Sequence, residues 1–505
     1  MRTLILTILF TVLCVTTIRA ETKSLYDELG VKGYELLLDM RYDEADKIFD
    51  EMIRMEPKNA MGYVCKSQSY FHYWKYAMIE PDQKDLEQFK ELLFNTRNIA
   101  KEMLDKDKDN IDTLFILGSA YGNIGLYYGN TDNWFRAWWN ARKGIKYIKK
   151  VVKEDSEYYN AYLLLGMYNY FADTLPRFVK ALSFLLGRTK GDREKGIDQL
   201  ILASSKADLK GDAKIFLADS VYFNEENYEA ASVLLEELNA EYPDNHYLSL
   251  ILAVSYRHLN KLDLSVQTLK SSLQSESLKE FPYLHGELYY NLGLAYSRMN
   301  EYDQAILAHK NAYKIPENLE GYITDHYDTG ALYEIGDAYE MLGSINKAHE
   351  YYSKIKENDN RKAYENAQDR IKNPLTPAQI NLIKGRNYLK YEKYSHAESI
   401  LRDLINSEYS KDSVDNTFKA EAYFYLGEVE YHLKEYQNSI QTLHKVFTLD
   451  DVRKEWINAW SHYWLANCYR EIGDTEKAGQ EYDIAYEYND NELRSEIDKA
   501  RSKMK

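Results

Sequence analysis

The sequence predicts an all-α protein, a right-handed α-solenoid of about eleven helix hairpins with insertions in its N-terminal half. Three observations carry that expectation. A pattern of small and bulky residues recurs in one register, with a period of about 34 residues, along most of the 505-residue chain. Only 8 Pro and 23 Gly are present, too few turn formers for a sandwich or barrel of short strands. An apolar fraction of 45% sets the chain apart from disordered sequences.

From the N-terminus, Arg2 precedes an apolar run over residues 4–15, which closes on Ile18, Arg19 and Ala20 before Glu21. This is the layout of a secretory signal peptide cut after Ala20, and it predicts a periplasmic or secreted protein. The run is shorter than the roughly 20 residues of a spanning helix. No transmembrane segment is expected after cleavage, and peripheral membrane association stays open. Leu13 stands where a lipidation site has a small residue, which argues against a lipoprotein anchored at Cys14. Cys65 and Cys468 lie at opposite ends of the chain and are expected to be buried thiols rather than a bridge.

The repeat is clearest at 286–319, with Tyr289, Leu292, Gly293, Tyr296, Tyr302, Ala305 and Ala312. The frame is bulky at position 4, Leu-Gly at 7 and 8, Tyr at 11, aromatic at 17, Ala at 20, bulky at 24 and Ala at 27. It recurs at 329–362, 378–411, 420–453 and 459–492, and upstream at 26–59, 212–245 and 246–279. Three further hairpins carry insertions. Tyr63, Ser67 and Tyr70 open one whose second helix, near 85–104, is displaced. Leu114, Gly118 and Tyr121 open another, for which Ala141 is the expected position 20. Tyr162, Gly166 and Asn169 open the third, with Gly196 at position 20. The chain therefore divides into a leader (1–20), an elaborated region (21–210), a hairpin pair (211–280), a regular array (281–490) and a charged capping helix (491–505). Linkers are expected near 274–285, 372–377 and 406–418.

Gly33, Gly118, Gly166, Gly293, Gly336, Gly385 and Gly427 all fall at position 8. A Gly inside a helix costs about 1 kcal/mol against Ala, so this register needs a packing cause. Positions 8 and 20 are where the two helices of a hairpin approach most closely. The pattern resembles the tetratricopeptide repeat, which implies stacked hairpins, a concave binding face and no catalysis. A narrower stretch, 160–245, carries Leu165-Gly166, Tyr168, Tyr170, Leu175-Pro176, Phe184 to Gly187, Gly191 to Gly196 and Tyr242 to Asn245. It is similar to the inclusion-body-clearance family of tetratricopeptide proteins and its secreted bacterial relatives. That resemblance implies a non-enzymatic helical protein. The leader departs from the cytosol-facing members, so their cellular role does not carry over.

The residues themselves point away from chemistry. The net charge of −16 argues against binding nucleic acid. The 11 His are dispersed, and no metalloprotease, nucleophile-elbow or phosphate-loop motif occurs, so no catalytic residue, metal or cofactor is expected. Asp105, Asp107 and Asp109 have calcium-loop spacing. Asn110 and Ile116 replace the Gly and Glu that such a loop requires, leaving a solvated turn. Arg142, Lys143, Lys146, Lys149, Lys150 and Lys153 form a basic helix face, read as solvated or salt-bridged. Residues 175–186 read as an inserted amphipathic helix packed on the solenoid, with an apolar face for lipid or partner as the alternative.

Two groups are candidate binding residues. Trp134 and Trp138, with Phe135 and Trp139 on the adjacent stripe, are read as packing between hairpins. The alternative is an exposed aromatic platform for sugar rings or a partner. The concave face should be lined by positions 2, 5, 9 and 12 of each first helix. In the regular array these include Glu287, Tyr290, Tyr333, Asp337, Glu421, Phe424, Glu428, Trp460, Tyr463 and Asn467. The face is aromatic and acidic, and suits a protein or peptide carrying Lys, Arg and apolar residues. The function expected is a non-enzymatic interaction scaffold, with an outer-surface glycan-binding protein as the alternative.

Overall fold

The computed structural model describes residues 25–502 except 80, 132, 175–190, 314–323, 359, 407–415, 451 and 489. The signal peptide and the amphipathic 175–186 segment lie outside the described residues. Among the described residues eleven hairpins follow one another, as the repeat predicts. The first six are α1 (Leu25–Leu38) with α2 (Tyr42–Met55), α3 (Ala60–Tyr76) with α4 (Gln83–Lys106), α5 (Ile111–Asn130) with α6 (Trp134–Glu154), α7 (Asn160–Thr174) with α8 (Arg193–Lys206), α9 (Lys210–Phe216) with α10 (Tyr228–Glu241), and α11 (His246–His258) with α12 (Leu262–Leu273). The next two are α13 (Pro282–Arg298) with α14 (Tyr302–Tyr313) and α15 (Thr324–Met341) with α16 (Ile345–Tyr352). A single helix, α17 (Arg361–Lys372), intervenes. The array ends with α18 (Pro377–Lys390) and α19 (Tyr394–Asn406), α20 (Asn416–His432) and α21 (Tyr436–Val446), α22 (Glu455–Glu471) and α23 (Thr475–Glu487), and the expected cap, α24 (Asn491–Ser502).

Local sequence sets the helix ends. Asn59, Asp82, Asn110, Asn133, Asp192, Asn227, Asn245, Asn360 and Asp474 each accept a backbone N–H at the start of the helix that follows. Thr376 and Gln379 form a capping box on α18, with Pro377 just inside. The turn inside a regular hairpin uses one left-handed residue: Met40, Asn260, Asn300, Gly343, Glu392, Lys434 or Gly473.

In the hairpins with Gly at position 8 the close contact is between positions 8 and 24. A Cβ added at Gly336 would fall 2.5 Å from the Tyr352 ring, and at Gly427 2.5 Å from Leu443. At Gly385 it would meet Leu401 at 2.7 Å, and at Gly166 it would meet Leu200 at 2.7 Å. Gly33 and Gly293 are covered in the same way by Phe49 and His309. Position 20 is a buried small residue in every hairpin: Ala45, Thr96, Gly144, Gly196, Ala231, Ser265, Ala305, Ala348, Ala397, Ser439 and Ala478. Where it is Ser, the hydroxyl donates to the position-8 carbonyl, Ser265 to Ala253 at 2.8 Å and Ser439 to Gly427 at 2.7 Å. Gly196 is at position 20 as predicted. Ala141 is not: Gly144 faces Gly118, while Ala141 packs on Gly125 one turn away. Here α5 offers Gly118, Gly122 and Gly125 to α6, so the two backbones nearly touch and more than one small residue fits the frame.

The chain divides into two compact units. The first holds residues up to 291, apart from 260–262, together with 314–324. The second holds 260–262, 292–313 and everything from 325 on. The division falls inside α13, whereas the sequence boundaries at 210 and 280 mark changes in repeat regularity.

Within the first unit the hairpins do not touch only their neighbours. Asn245, at the start of α11, donates to the Leu38 carbonyl at 2.6 Å, across 207 residues. Gly211 lies against the Leu38 and Tyr34 side chains. The Tyr34 hydroxyl accepts from the Asp212 N–H at 3.2 Å, and the Tyr76 and Tyr247 rings are 5.0 Å apart. Lys75 pairs with Asp219 at 3.1 Å, and Tyr247 donates to the same carboxylate at 2.8 Å. Asp219 occupies a position 8, and here α9 widens into a π-helical turn, Leu217–Tyr222. The first two hairpins thus close over the fifth and sixth, and α9 and α11 are buried nearly all round.

In the second unit α17 has no counterpart in the sequence reading, which assigned nothing between the repeat ending at 362 and the linker at 372–377. Only Ala367 is buried along it, so it shows no apolar stripe wide enough to mark it. Its Arg370 ties it down, pairing with Asp337 at 2.5 Å and Glu340 at 3.3 Å.

Two measurements check these contacts. Gly144→Ala puts a Cβ 2.6 Å from the Gly118 carbonyl oxygen, and is expected to cost about 1–3 kcal/mol. Gly479→Ala, in α23 with nothing within 4 Å, should gain up to about 1 kcal/mol. Opposite shifts in Tm are expected from thermal melts. Asn245→Ala loses both a cap and the bond to Leu38, and should cost about 2 kcal/mol. Asn245→Asp keeps the capping oxygen but cannot donate, so denaturant titration should place it near the Ala variant rather than near wild type.

Candidate functional site

The sequence-predicted concave face splits between the two units. In the second unit, α15, α18, α20 and α22 carry it. Asp337 is not free there, being paired with Arg370. Beside it Glu340 is buried, accepting from the Tyr352 hydroxyl at 3.0 Å and from the Leu375 N–H. Tyr333 is half-buried, its ring 5.4 Å from that of Tyr352. Glu421 is buried and holds Lys454 at 2.6 Å. Phe424 is buried too, edge-on to Trp456 at 5.3 Å, and so does not face an open groove. Asn467 is buried, accepting from the Tyr482 hydroxyl at 2.9 Å and donating to the Tyr463 carbonyl at 3.1 Å. Three of the expected contact residues, at positions 2, 5 and 9 of their hairpins, are therefore interior groups covered by residues that follow in the chain.

Glu428, Trp460 and Tyr463 remain half-exposed. Glu428 lies near Lys390, whose charge works against the burial that pushes the Glu428 carboxyl up to about 7. Burial, then the like charges of Arg386 and Arg298, lower Lys390. Trp460 donates to Asp490 at 3.2 Å, and its ring meets Tyr463 edge-on at 5.4 Å. From there rings continue through Tyr463–Trp464 at 5.2 Å, His432–Trp464 at 5.4 Å and the parallel Tyr394–His432 pair at 4.7 Å. Tyr431 joins at 4.9 Å from Trp464, and its hydroxyl accepts from Arg470 at 3.4 Å. The expected acidity of the face is largely cancelled: Asp337, Glu421 and Glu428 each have a cation beside them. What stays accessible is a row of half-exposed rings with Arg298 and Arg386; Lys390 is beside Glu428, and Arg470 pairs with Glu471 at 2.7 Å. Arg470 stands at position 12 of the predicted face, whereas Arg298, Arg386 and Lys390 were not expected there, although Arg386 stands at position 9 of its hairpin.

In the first unit Glu287 and Tyr290 are half-buried. Asn291 donates to the Glu287 carboxylate at 2.9 Å, and Arg257 donates to Asn291 at 3.3 Å. Burial outweighs both and pushes the Glu287 carboxyl up to about 8. A buried polar cluster lies where the first hairpins meet α9. His72 Nε2 is 3.4 Å from Asp212 Oδ1, with both side chains essentially inaccessible, and the His72 ring is edge-on to Tyr76 at 4.9 Å. No approach to it from solvent is on view, so it reads as part of the closure. Among the described residues no three His, Cys, Asp or Glu side chains group as metal ligands.

The aromatic platform departs from the reading that favoured packing. Trp134, Phe135 and Trp139 are 49%, 62% and 47% exposed, while Trp138 is half-buried. Phe135 and Trp139 lie nearly parallel, 6.4 Å apart. Asp107 and Asp109 lie in an exposed turn, as expected, with Asp105 in the last turn of α4, and Lys150 reaches Asp109 at 3.3 Å. Cys65 and Cys468 are both buried, as expected; burial pushes the Cys468 thiol up to about 11.

Residues 286–318 match the family model of the tetratricopeptide repeat. No curated protein matches the chain. Several solved structures are similar to it at low identity. A tetratricopeptide repeat protein from Parabacteroides merdae is 17% identical over 57% of this chain and 98% of its own, with a TM-score of 0.24. PilF of Pseudomonas aeruginosa is 16% identical over 47% and 91%, TM-score 0.26. The human IFIT1 dimer is 16% identical over 92% and 90%, TM-score 0.32. The repeat match, together with the eleven hairpins described above, makes the fold a tetratricopeptide-type α-solenoid.

The raised carboxyl of Glu287 gives a pH test. Its folded value, about 8, exceeds the ordinary value of about 4.3. The folded state therefore holds the proton more tightly, and the associated stability is lost as pH rises through about 8. Glu287→Gln should match wild type near about pH 5 and be the more stable of the two above about pH 8, as read by denaturant titration at each pH.

Proposed function

We propose that the chain is a non-enzymatic scaffold, periplasmic or secreted, that binds a protein or peptide through the inner face of its C-terminal hairpins. A solenoid of this type suits protein–protein interaction. The observation that carries the reading is the half-exposed ring row Trp460, Tyr463, Trp464 and Tyr431, flanked by Arg470. Aromatic and Arg side chains are the groups that contribute most at protein interfaces. The leader supports the location. With its carboxylates paired, the face suits a partner segment that offers apolar side chains and carboxylates, in place of the basic peptide expected from the sequence.

The glycan-binding alternative rests on Trp134 and Trp138. Trp134 is exposed, which favours it, but Trp138 is half-buried with the Arg142 guanidinium 5.3 Å from its ring centroid. One of the two rings is thus already occupied.

A photo-cross-linking residue placed at Tyr463, in the native cell envelope, should capture a defined partner. The same residue at Gln437, on an exposed outer surface, should not. Equal capture from both positions, or none from Tyr463, would remove the inner face as the binding site.

A further inference from the structure

The surface that the scaffold reading leaves unused is the outward face of α6. The helix buries Ala137, Gly144, Ile145, Ile148 and Val151 against its neighbours. On the opposite side, one stripe runs Phe135, Trp139, Arg142, Lys146, Lys149 and Lys153, spaced by three or four residues and therefore on one face. All six are exposed. The stripe is segregated along its length, with aromatic rings in the first turns and cations through the rest. Trp134 and Arg136 are exposed beside the rings. The helix carries one acidic residue, Glu154, at its last position. Its cations lie largely over rings: Lys143 is 5.5 Å from the Trp139 ring centroid, and Lys149 is 5.4 Å from that of Tyr168. The ion pair described on this helix is Lys150 with Asp109. A block of this sign is out of keeping with a chain of net charge −16.

We infer that this face docks on an anionic phospholipid bilayer. Exposed Trp and Phe favour the boundary between headgroups and acyl chains, and a row of Lys and Arg is attracted to the negative surface of such a leaflet. Neither half suffices alone. Three rings are too few to hold a protein at a neutral bilayer, and cations without rings would be released by salt. Together they give two signals on one rigid helix. The rest of the surface, acidic overall, would be repelled, so the protein should bind in one orientation. No helix among the described residues is long and apolar enough to cross a membrane, so the contact is peripheral.

The test is co-sedimentation of the full chain with vesicles of phosphatidylcholine alone or with one third phosphatidylglycerol. Binding is expected to the anionic vesicles, with a blue shift of Trp fluorescence. Lys146→Glu with Lys149→Glu should weaken it roughly tenfold or more, and so should Phe135→Ala with Trp139→Ala. These side chains are exposed, and unchanged circular dichroism would show that both variants fold. Equal binding to both vesicle types, no binding to either, or unaltered binding by the folded variants would overturn the proposal. Retention on an acidic polysaccharide but not on vesicles, lost in the same variants, would instead assign the face to a glycan. None of these substitutions touches the inner face of the C-terminal hairpins, so partner capture at Tyr463 tests the scaffold reading separately.

Discussion

Most of the described hairpins depend on a small residue at the eighth position lying under a large one at the twenty-fourth, Asp219 being the exception at the π-helical turn. The contact fixes how near two helices come and which side chains point outward. It tolerates many large partners, Phe49, Ile148, His309, Tyr352 and Leu443 among them, because the Gly opposite leaves a backbone groove rather than a shaped pocket. When the large residue is Tyr its hydroxyl reaches the far side of the helix pair. Tyr352 finds Glu340 there, and Tyr482 finds Asn467. Among the 47 tyrosines these two fill position 24, and more of them, such as Tyr256 and Tyr296, stand at position 11. The rings fill the hairpin interior, and the hydroxyls satisfy polar groups that the stacking would otherwise strand.

The same rule gives two different outcomes in the two units. In the first, insertions lengthen α4 to α6 and the opening hairpins fold back onto α9 and α11. The inner positions there are spent on contacts within the chain, such as Tyr76 on Tyr247 and Lys75 on Asp219. Burying His72 and Asp212 in that closure is costly unless the two are paired, and they lie 3.4 Å apart. In the second unit the inner positions stay partly open, and their aromatic row is continuous.

The fold was legible almost in full, because hairpin packing is a local rule that repeats in register. Even the displaced Gly196 could be placed. Ala141 was misassigned because α5 and α6 share a run of small residues, and register among equivalent small residues is not encoded in their identities. Helix α17 was invisible because it is held by Arg370 rather than by an apolar stripe. The candidate site was less legible. What covers a position-5 or position-9 side chain is decided by helices that follow in the chain, so Phe424 and Asn467 could not be told from Tyr463 by spacing. Pairing of Asp337 and Glu421 with Arg370 and Lys454 depends on contacts more than 30 residues apart, which composition cannot show. The exposure of Trp134, Phe135 and Trp139 is likewise settled by what lies above them.

The central claim is that the first unit is closed upon itself while the inner face of the second stays open. Hydroxyl-radical footprinting of the intact chain tests it most directly. Tyr34, Tyr42, Tyr76 and Tyr247 should be protected, while Trp460, Tyr463 and Trp464 should be modified quickly. Modification of Tyr76 and Tyr247 as fast as Tyr463 would contradict the account.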